Sequence, residues 1–396
     1  MNLAIFSGKP IFDTPKSTSN LVQPDKESFL NYIGEIYDEG SQMSGLNYLT
    51  LRLEERLAQE HGANYCVAVC NGLWGIVMSI HALRLSGKSE IVMPSLTYRR
   101  MADIAAWLQM VPHFCDVDYD TLAMNASHTR SCINRNTALI LAPHPIVNLC
   151  DIDGLVALSK EFDIPILFDS VEASFAEHNT KKIGSFGDAE CFSMHASKFL
   201  NGFEGGYITT NNKQFADKLR IIRNNGINVQ SGLVESPGID GKLIELHAAM
   251  TLASLDDKDN QIERNKSRFL KYKEELSGIN GLTLMEYSLT EKRSFKNILV
   301  RLEKDWPLSR DLTIKILQAE NMVVRPYYYP PLHKKENKFP TTHGTLEITE
   351  ILMDQLMLLP CGEFISLDDI EIVADHLKFI SHNADSIKEK LSSQLS

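Results

Sequence analysis

No apolar run in this chain approaches the roughly 18 consecutive residues that a membrane-spanning helix needs. The opening stretch MNLAIFSGKPIFDTPKSTSN also lacks the basic start and apolar core of a secretory signal. A soluble, cytoplasmic protein is the expectation. A disulfide framework is excluded as well. The seven cysteines (66, 70, 115, 132, 150, 191, 361) are odd in number, scattered, and mostly inside apolar runs such as NYCVAVC, as reduced core thiols are. Cys66 and Cys70 have no CxxC pair or histidine cluster beside them, so no metal site is expected. No long block of like charge interrupts the 40 basic and 51 acidic residues, net charge −11, which argues against nucleic acid as a partner. Internal repeats and low-complexity segments are missing. So is a GxGxxG fingerprint, which disfavours an NAD-type dehydrogenase.

What remains is ordinary globular material, 43% hydrophobic and 23% charged, in 396 residues, enough for two or three domains. From about residue 44 helix and strand patterns alternate. Leu46, Leu49, Leu53 and Leu57 recur at helical spacing ahead of the continuous apolar run YCVAV (65–69). A helix pattern from Gly72 leads to EIVMP (90–94), and another over Ala102–Met110 leads to HFCDV (113–117). ALILA (138–142) then precedes the helix-like DIDGLVALSKEF and the strand IPILFD (164–169). Strands that are apolar throughout, separated by helices, belong to a mostly parallel sheet covered on both faces. Function is then expected at the strands' carboxyl ends. After Leu255 the polar helical stretch DDKDNQIERNKSRFLKYKEEL bridges to a smaller unit. That unit holds NILVRL (297–302), a helix ending near Glu320, MVVRPYYYPPLHK, and a last helix with Ser366 as N-cap and Asp369 three residues on. The tail after about Asp385 is polar and expected to fray. The expected division is a large domain over 1–260 and a small C-terminal domain over 261–396.

Three strand ends and one lysine stand out. Asp169 closes an apolar strand where a parallel sheet presents its ligand groups, though a turn former would look the same. In VAVCNGLWGI a strand passes through Asn71-Gly72 directly into a helix, whose free N–H groups suit a phosphate; any strand-to-helix turn can contain glycine. In MPSLTYRR, Tyr98 offers an aromatic plate or merely a half-buried ring. Lys198 sits in FSMHASKFLNGFEGG between small residues, with Ser193 and His195 upstream and Gly205-Gly206 downstream. Alone it is a solvated loop charge or a nucleophile. Together these are the parts a pyridoxal phosphate enzyme requires. It needs an amine that condenses with the cofactor's aldehyde, a carboxylate that keeps the pyridine nitrogen protonated so that the ring acts as an electron sink, a phosphate cup and a stacking aromatic.

The run FSMHASKFLNGFEGG closely resembles the SFHATK…EGG signature of the DegT/DnrJ/EryC1/StrS aminotransferases, pyridoxal-phosphate-dependent sugar aminotransferases of aspartate-aminotransferase fold. NGLWGI falls where that family has SGTAAL, MPSLTY where it has PSFTF, and LFDSVEA where it has EDAAQA or YDAAHA. PGIDGKLIELHAAM falls where it has GxNxKMSExxAA, and YYYPPLH matches its PLH segment. The motifs are collinear from about Gly45 to Pro360. The resemblance implies an α/β fold of type I, with a large domain built on a mostly parallel sheet and a smaller C-terminal α+β domain. It implies that Lys198 is the Schiff-base lysine and Asp169 the partner of the pyridine nitrogen. Tyr98 would stack on the ring, while Ser193 and the backbone at Gly72, Leu73 and Trp74 would hold the phosphate. Because the family's sites lie at a homodimer interface, Asp240 and Lys242 would approach the partner's cofactor. His195, Lys242, Tyr329 and His333 would be substrate-side contacts.

Four departures matter. Leu73 stands where the family usually has threonine, leaving only backbone donors to the phosphate. Glu172 replaces glutamine or histidine, and would share a proton with the cofactor's phenolic oxygen or point elsewhere. Asp240 replaces an asparagine near phosphate, an anion beside an anion unless Lys242 or a proton offsets it. Trp74 is far larger than the usual alanine. The implied reaction passes an amino group from an amino acid, glutamate foremost, to a nucleotide-linked 4-keto- or 3-keto-6-deoxyhexose in aminosugar biosynthesis, with Lys198 shuttling the proton. Leu73, Trp74 and Glu172 keep open a non-sugar carbonyl as the acceptor. An inactive regulatory or binding homologue is a further alternative, opposed by the joint presence of Lys198, Asp169 and Ser193. The related dehydratases carry histidine in place of the lysine, and this chain keeps Lys198.

Overall fold

The computed structural model describes residues 3–6, 8–38 and 48–395. Gly45, where the resemblance begins, and Leu46, the first of the four spaced leucines, lie outside the described residues. Leu49, Leu53 and Leu57 are fully buried on the helix Tyr48–His61, as the spacing predicts.

The strands run in chain order as β1 (Tyr65–Val69), β2 (Glu90–Pro94), β3 (Val111–Cys115), β4 (Thr137–Pro143) and β5 (Ile166–Asp169), followed by a short hairpin of β6 (Glu177–His178) and β7 (Lys181–Lys182). Then come β8 (Ala189–Ser193), β9 (Gly206–Thr210), β10 (Leu282–Leu284), β11 (Ile298–Leu302), β12 (Arg325–Pro326), β13 (Thr342–His343) and β14 (Leu356–Leu359). The large sheet has the order β1-β9-β8-β5-β4-β2-β3-β13. It is parallel except around β9, which runs antiparallel to both of its neighbours.

Successive strand residues point to opposite faces, and here both faces are buried. Cys66 and Ala68 of β1, Ile140 and Ala142 of β4, and Ile166 and Phe168 of β5 enter one core; Val67, Val69, Leu139, Leu141 and Leu167 enter another. Each buried Val, Leu, Ile or Phe among them contributes about 1.5–3 kcal/mol by leaving water, so neither face can be given up. That is why these strands read as unbroken apolar runs.

A four-stranded antiparallel sheet, β10-β11-β14-β12, carries the third core, against the helices Lys258–Glu275, Arg310–Ala319 and Leu367–His382. The chain passes between the two sheets at more than one point. Leu3 and Phe12 from the N-terminal segment pack into the small core, while β13 returns to pair with β3 at the edge of the large sheet. Ser366 caps its helix in a full capping box, its hydroxyl accepting from the Asp369 N–H and its own N–H donating to the Asp369 carboxylate.

Three features depart from the sequence reading. The tail is helical over Ala384–Leu395 rather than frayed, because Ala384 and Ile387 are buried in the small core. The helix Ala126–Cys132 and the β6–β7 hairpin are too short and polar to leave a periodic signal. β3 starts at Val111, two residues ahead of the apolar run. Among the described residues no helix is long and apolar enough to cross a membrane.

Candidate active site

A cleft of about 760 Å³ opens where β1, β2, β4, β5 and β8 end, a size that suits a small-molecule site. Asp169, the last residue of β5, lies in register with Pro143 of β4 and Cys191 of β8. Its buried carboxylate accepts the Val171 N–H at 3.1 Å. Burial pushes its pKa up to about 6, against that hydrogen bond and the charge of Lys198. At neutral pH it is therefore mostly an anion in a place that favours a cationic or N–H partner.

Lys198 follows β8 in a turn closed by its own N–H donating to the His195 carbonyl at 2.8 Å. Its Nζ donates to Glu172 Oε1 at 2.6 Å. Burial is the largest single influence and works against the ammonium, but the charge and hydrogen bond of Glu172 together with the charge of Asp169 outweigh it and hold the pKa above the ordinary lysine value. Burial alone would raise the Glu172 carboxyl; Lys198 and Lys296 hold it well below the usual carboxylate range.

At the other end of the cleft the helix Gly72–Leu83 begins. Asn71 is its N-cap, and the Asn71 side chain accepts the Trp74 N–H at 2.9 Å. That takes one of the three backbone donors expected for a phosphate. The N–H groups of Gly72 and Leu73 have no acceptor within the helix, as first-turn groups never do. Ser193, at the end of β8, accepts the His195 N–H at 3.3 Å, and its hydroxyl retains a hydrogen to donate. Gly72 cannot be larger, since a Cβ on it would lie 2.9 Å from the Ser193 Cβ.

Of the other residues singled out in the sequence, Tyr98, His195 and Tyr329 line the same cleft. The His195 ring is bound to Ser197 and faces Glu204 at 3.6 Å. Trp74, Asp240, Lys242 and His333 do not line it. Trp74 packs edge-on against Trp107, ring centres 5.7 Å apart. Asp240 and Lys242 form an ion pair at 3.2 Å, the offset of charge that the sequence called for. The backbone between them is tied to the residue after β1, where the Cys70 N–H donates to the Gly241 carbonyl at 2.8 Å. His333 is tied by its Nδ1 to the Ser95 hydroxyl at 2.7 Å and faces Glu350.

The cleft also holds residues the sequence reading missed. His144 follows β4, its ring stacked on Phe168 at 5.6 Å. Its Nδ1 accepts the Cys150 N–H, while its buried Nε2 has no partner among the described residues. Burial pushes its pKa down to about 3, so the ring is neutral. A histidine at a strand end was legible by the same rule that picked out Asp169. Lys296 and Asn297, just before β11, reach in from the small sheet and belong to no motif. Arg325 of β12 joins them at the wall.

This donor set fits pyridoxal phosphate. A lysine amine, a buried carboxylate ionised near neutral pH, a helix N-terminus beside a serine hydroxyl, and a half-exposed tyrosine ring face one cleft.

The model of the DegT/DnrJ/EryC1/StrS aminotransferase family matches residues 23–378. The chain is 24% identical over 380 residues to the dTDP-4-amino-4,6-dideoxy-D-glucose transaminase of Shigella dysenteriae, covering 94% of this chain and 99% of that protein. It is 27% identical over 302 residues to the GDP-perosamine synthase of Caulobacter vibrioides, covering 76% and 81% respectively. The crystal structure of DesI, determined in the presence of its TDP-sugar product, superposes with a TM-score of 0.92 at 28% identity, covering 98% of this chain and 99% of DesI.

Proposed function

The chain belongs to the DegT/DnrJ/EryC1/StrS aminotransferase family and is a pyridoxal-phosphate-dependent aminotransferase of type I fold; from that premise we propose that it aminates a nucleotide-linked keto-6-deoxyhexose. The amino donor in this reading is an amino acid, glutamate foremost, and the product is a nucleotide-linked deoxyaminosugar. The observation that carries the reading is the pairing of Lys198 with the strand-end carboxylate Asp169 in one cleft, in a chain that matches sugar aminotransferases along nearly its whole length.

Bound pyridoxal phosphate supplies an aldehyde that takes up an amine and a protonated ring that draws electrons from the substrate carbon. Every other part of the work falls to the protein. Asp169 holds the proton on the ring nitrogen, which its pKa near 6 allows at neutral pH because a cation-bearing partner pulls it lower still. Ser193 with the Gly72 and Leu73 N–H groups binds the phosphate at the helix N-terminus. Tyr98 covers the ring. Lys198 Nζ takes a proton from the substrate carbon and returns it, as a general base and acid. Glu172 steadies that amine by the 2.6 Å contact.

The active unit in this reading is a homodimer with shared sites, and the reaction is cytoplasmic. The segment Asn224–Asp240 supports the dimer. It is folded back on itself through the Ile227–Val234 bridge and leaves Val229, Leu233 and Val234 more than half exposed, an apolar patch of the kind that a second subunit covers. Asp240 and Lys242 lie at its base, outside their own chain's cleft. Seven unpaired thiols fit a reducing compartment.

The test is incubation of the purified enzyme with glutamate and a panel of nucleotide-linked keto-sugars, followed by mass spectrometry. An amino-sugar product appearing with an equal amount of 2-oxoglutarate is expected. Turnover with non-sugar carbonyls and none of the panel would overturn the acceptor assignment.

A further inference from the structure

Glu172 is held from both sides. Its Oε1 accepts from Lys198 Nζ at 2.6 Å, and its Oε2 accepts from Lys296 Nζ at 2.6 Å and from Asn297 Nδ2 at 3.2 Å. The two lysines differ in kind. The Lys198 side chain is 26% exposed and opens on the cleft; that of Lys296 is 4% exposed and has no other ion-pair partner among the described residues. The setting of Lys296 is built for it. Phe295, immediately before it, adopts a left-handed φ of 49°, uncommon for a bulky residue, and its ring packs against Phe269 and Tyr287 in the small core. Asn297, immediately after, donates its N–H to the Tyr287 hydroxyl at 3.0 Å and receives that hydroxyl's hydrogen at its carbonyl. The small sheet thus delivers one buried cation to one carboxylate at the floor of the cleft.

In the reading of the site given above, on which this inference rests, Lys198 must lose and regain a proton. It cannot then be the permanent counter-ion of a buried carboxylate, and a buried carboxylate without one takes up a proton itself. We propose that Lys296 is a positioning residue for Lys198: the standing counter-ion that keeps Glu172 ionised and aimed at the Lys198 amine while that amine is neutral. The other titratable groups facing this cluster are Asp169 and Tyr98 from the large sheet and Tyr287, Tyr327, Tyr328 and Cys361 from the small one. Burial raises the pKa of those three small-sheet phenols and of the thiol, so they stay uncharged. Burial lowers the Lys296 pKa, against the charge of Glu172, and Arg325 stands at the cleft wall, so two lysines, one arginine and two carboxylates set the local charge.

The test is competitive acylation of the full-length, cofactor-free chain with acetic anhydride over a series of pH values, read at Lys198 by peptide mass spectrometry. It yields the pKa of that amine with no cofactor, substrate or turnover, so it stands even if the acceptor or the reaction has been misread. Lys296→Met removes a neighbouring cation and raises the Lys198 pKa by about one pH unit or more. Glu172→Gln leaves two cations facing each other and lowers it. The double variant Glu172→Gln/Lys296→Met lies about one pH unit above Glu172→Gln. In the loaded enzyme Lys296→Met loses about tenfold or more in kcat, a barrier increase of about 1.4 kcal/mol, with KM for the amino donor nearly unchanged, and the double variant exceeds Lys296→Met. A purely structural role for Lys296 would lower the melting temperature of Lys296→Met and leave the Lys198 pKa where it was, which overturns the proposal. Should Lys296→Met fail to fold, Lys296→Gln, which keeps a polar end beside Glu172 but no charge, decides: a Lys198 pKa equal to that of the wild type in this variant overturns the proposal.

Discussion

Gly72 and Ser193 meet with no room for a methyl group between them. A Cβ on Gly72 would stand 2.9 Å from the Ser193 Cβ and 3.0 Å from the Phe192 carbonyl oxygen, which brings a helix N-terminus and a strand-end hydroxyl to one point of the cleft. Gly72→Ala must push the helix off β8, at a cost of about 1–3 kcal/mol. The expected outcome is a lower melting temperature and a Kd for pyridoxal phosphate weakened by about tenfold, measured by equilibrium dialysis. Wild-type cofactor affinity in this variant would remove the helix N-terminus from the phosphate site.

Asp169→Asn tests the carboxylate. An amide of the same shape keeps the packing and the Val171 hydrogen bond but cannot hold the ring nitrogen protonated. The variant should retain cofactor, seen by its absorbance, and lose at least about a hundredfold in kcat, on the order of 3 kcal/mol. Near-wild-type turnover would reduce Asp169 to a turn residue.

Shared sites are tested by complementation. Subunits carrying Lys198→Ala and subunits carrying Lys242→Ala are each expected to be inactive as homodimers. Mixed under conditions that exchange subunits, they should form heterodimers with one site intact and recover part of the activity. Demonstrated heterodimers with no recovered activity would place Lys242 within its own chain's function.

Away from the cleft, His61 makes the fold sensitive to acid. Its ring is fully buried, Nδ1 donating to the Ile183 carbonyl and Nε2 accepting from the Tyr207 hydroxyl. Burial pushes its pKa from 6.5 down to about 4. Between those values the unfolded chain binds a proton that the folded one refuses, so stability falls as the pH drops through this window, by about 1.4 kcal/mol per pH unit for this group. Urea midpoints measured from neutral pH to pH 4 should fall steeply in the wild type. His61→Gln should start lower and fall less steeply; parallel slopes would assign the acid sensitivity to other groups.

The parts of the site that belong to the large sheet were legible because strand ends and strand-to-helix turns leave local marks. Asp169 after ILF, Asn71-Gly72 after YCVAV and Ser193 with Lys198 in one run are all fixed by their own neighbours in sequence. Lys296 and Asn297 leave no such mark. They reach Glu172 across more than a hundred residues, and only the packing of the small core at Phe295 aims them. The ring of His333 was read as facing substrate but is tied to Ser95, a contact between distant segments that the sequence YYYPPLH does not encode. In the fold, the double-sided burial of the sheet was visible as unbroken apolar runs. The antiparallel course of β9 and the return of β13 to the sheet edge depend on strand pairing over long separations, which periodicity does not report.

The central claim is that Lys198 is the residue to which the cofactor is joined and whose amine, once released, moves the proton. It is tested most directly by loading the full-length protein with pyridoxal phosphate, reducing it with borohydride, and mapping the adduct by peptide mass spectrometry. The account predicts a single adduct on Lys198, lost in Lys198→Ala together with all transamination while the melting temperature stays within a few degrees of wild type, the shift expected for about 1 kcal/mol. An adduct on Lys296 or another lysine, or transamination surviving in Lys198→Ala, would contradict it.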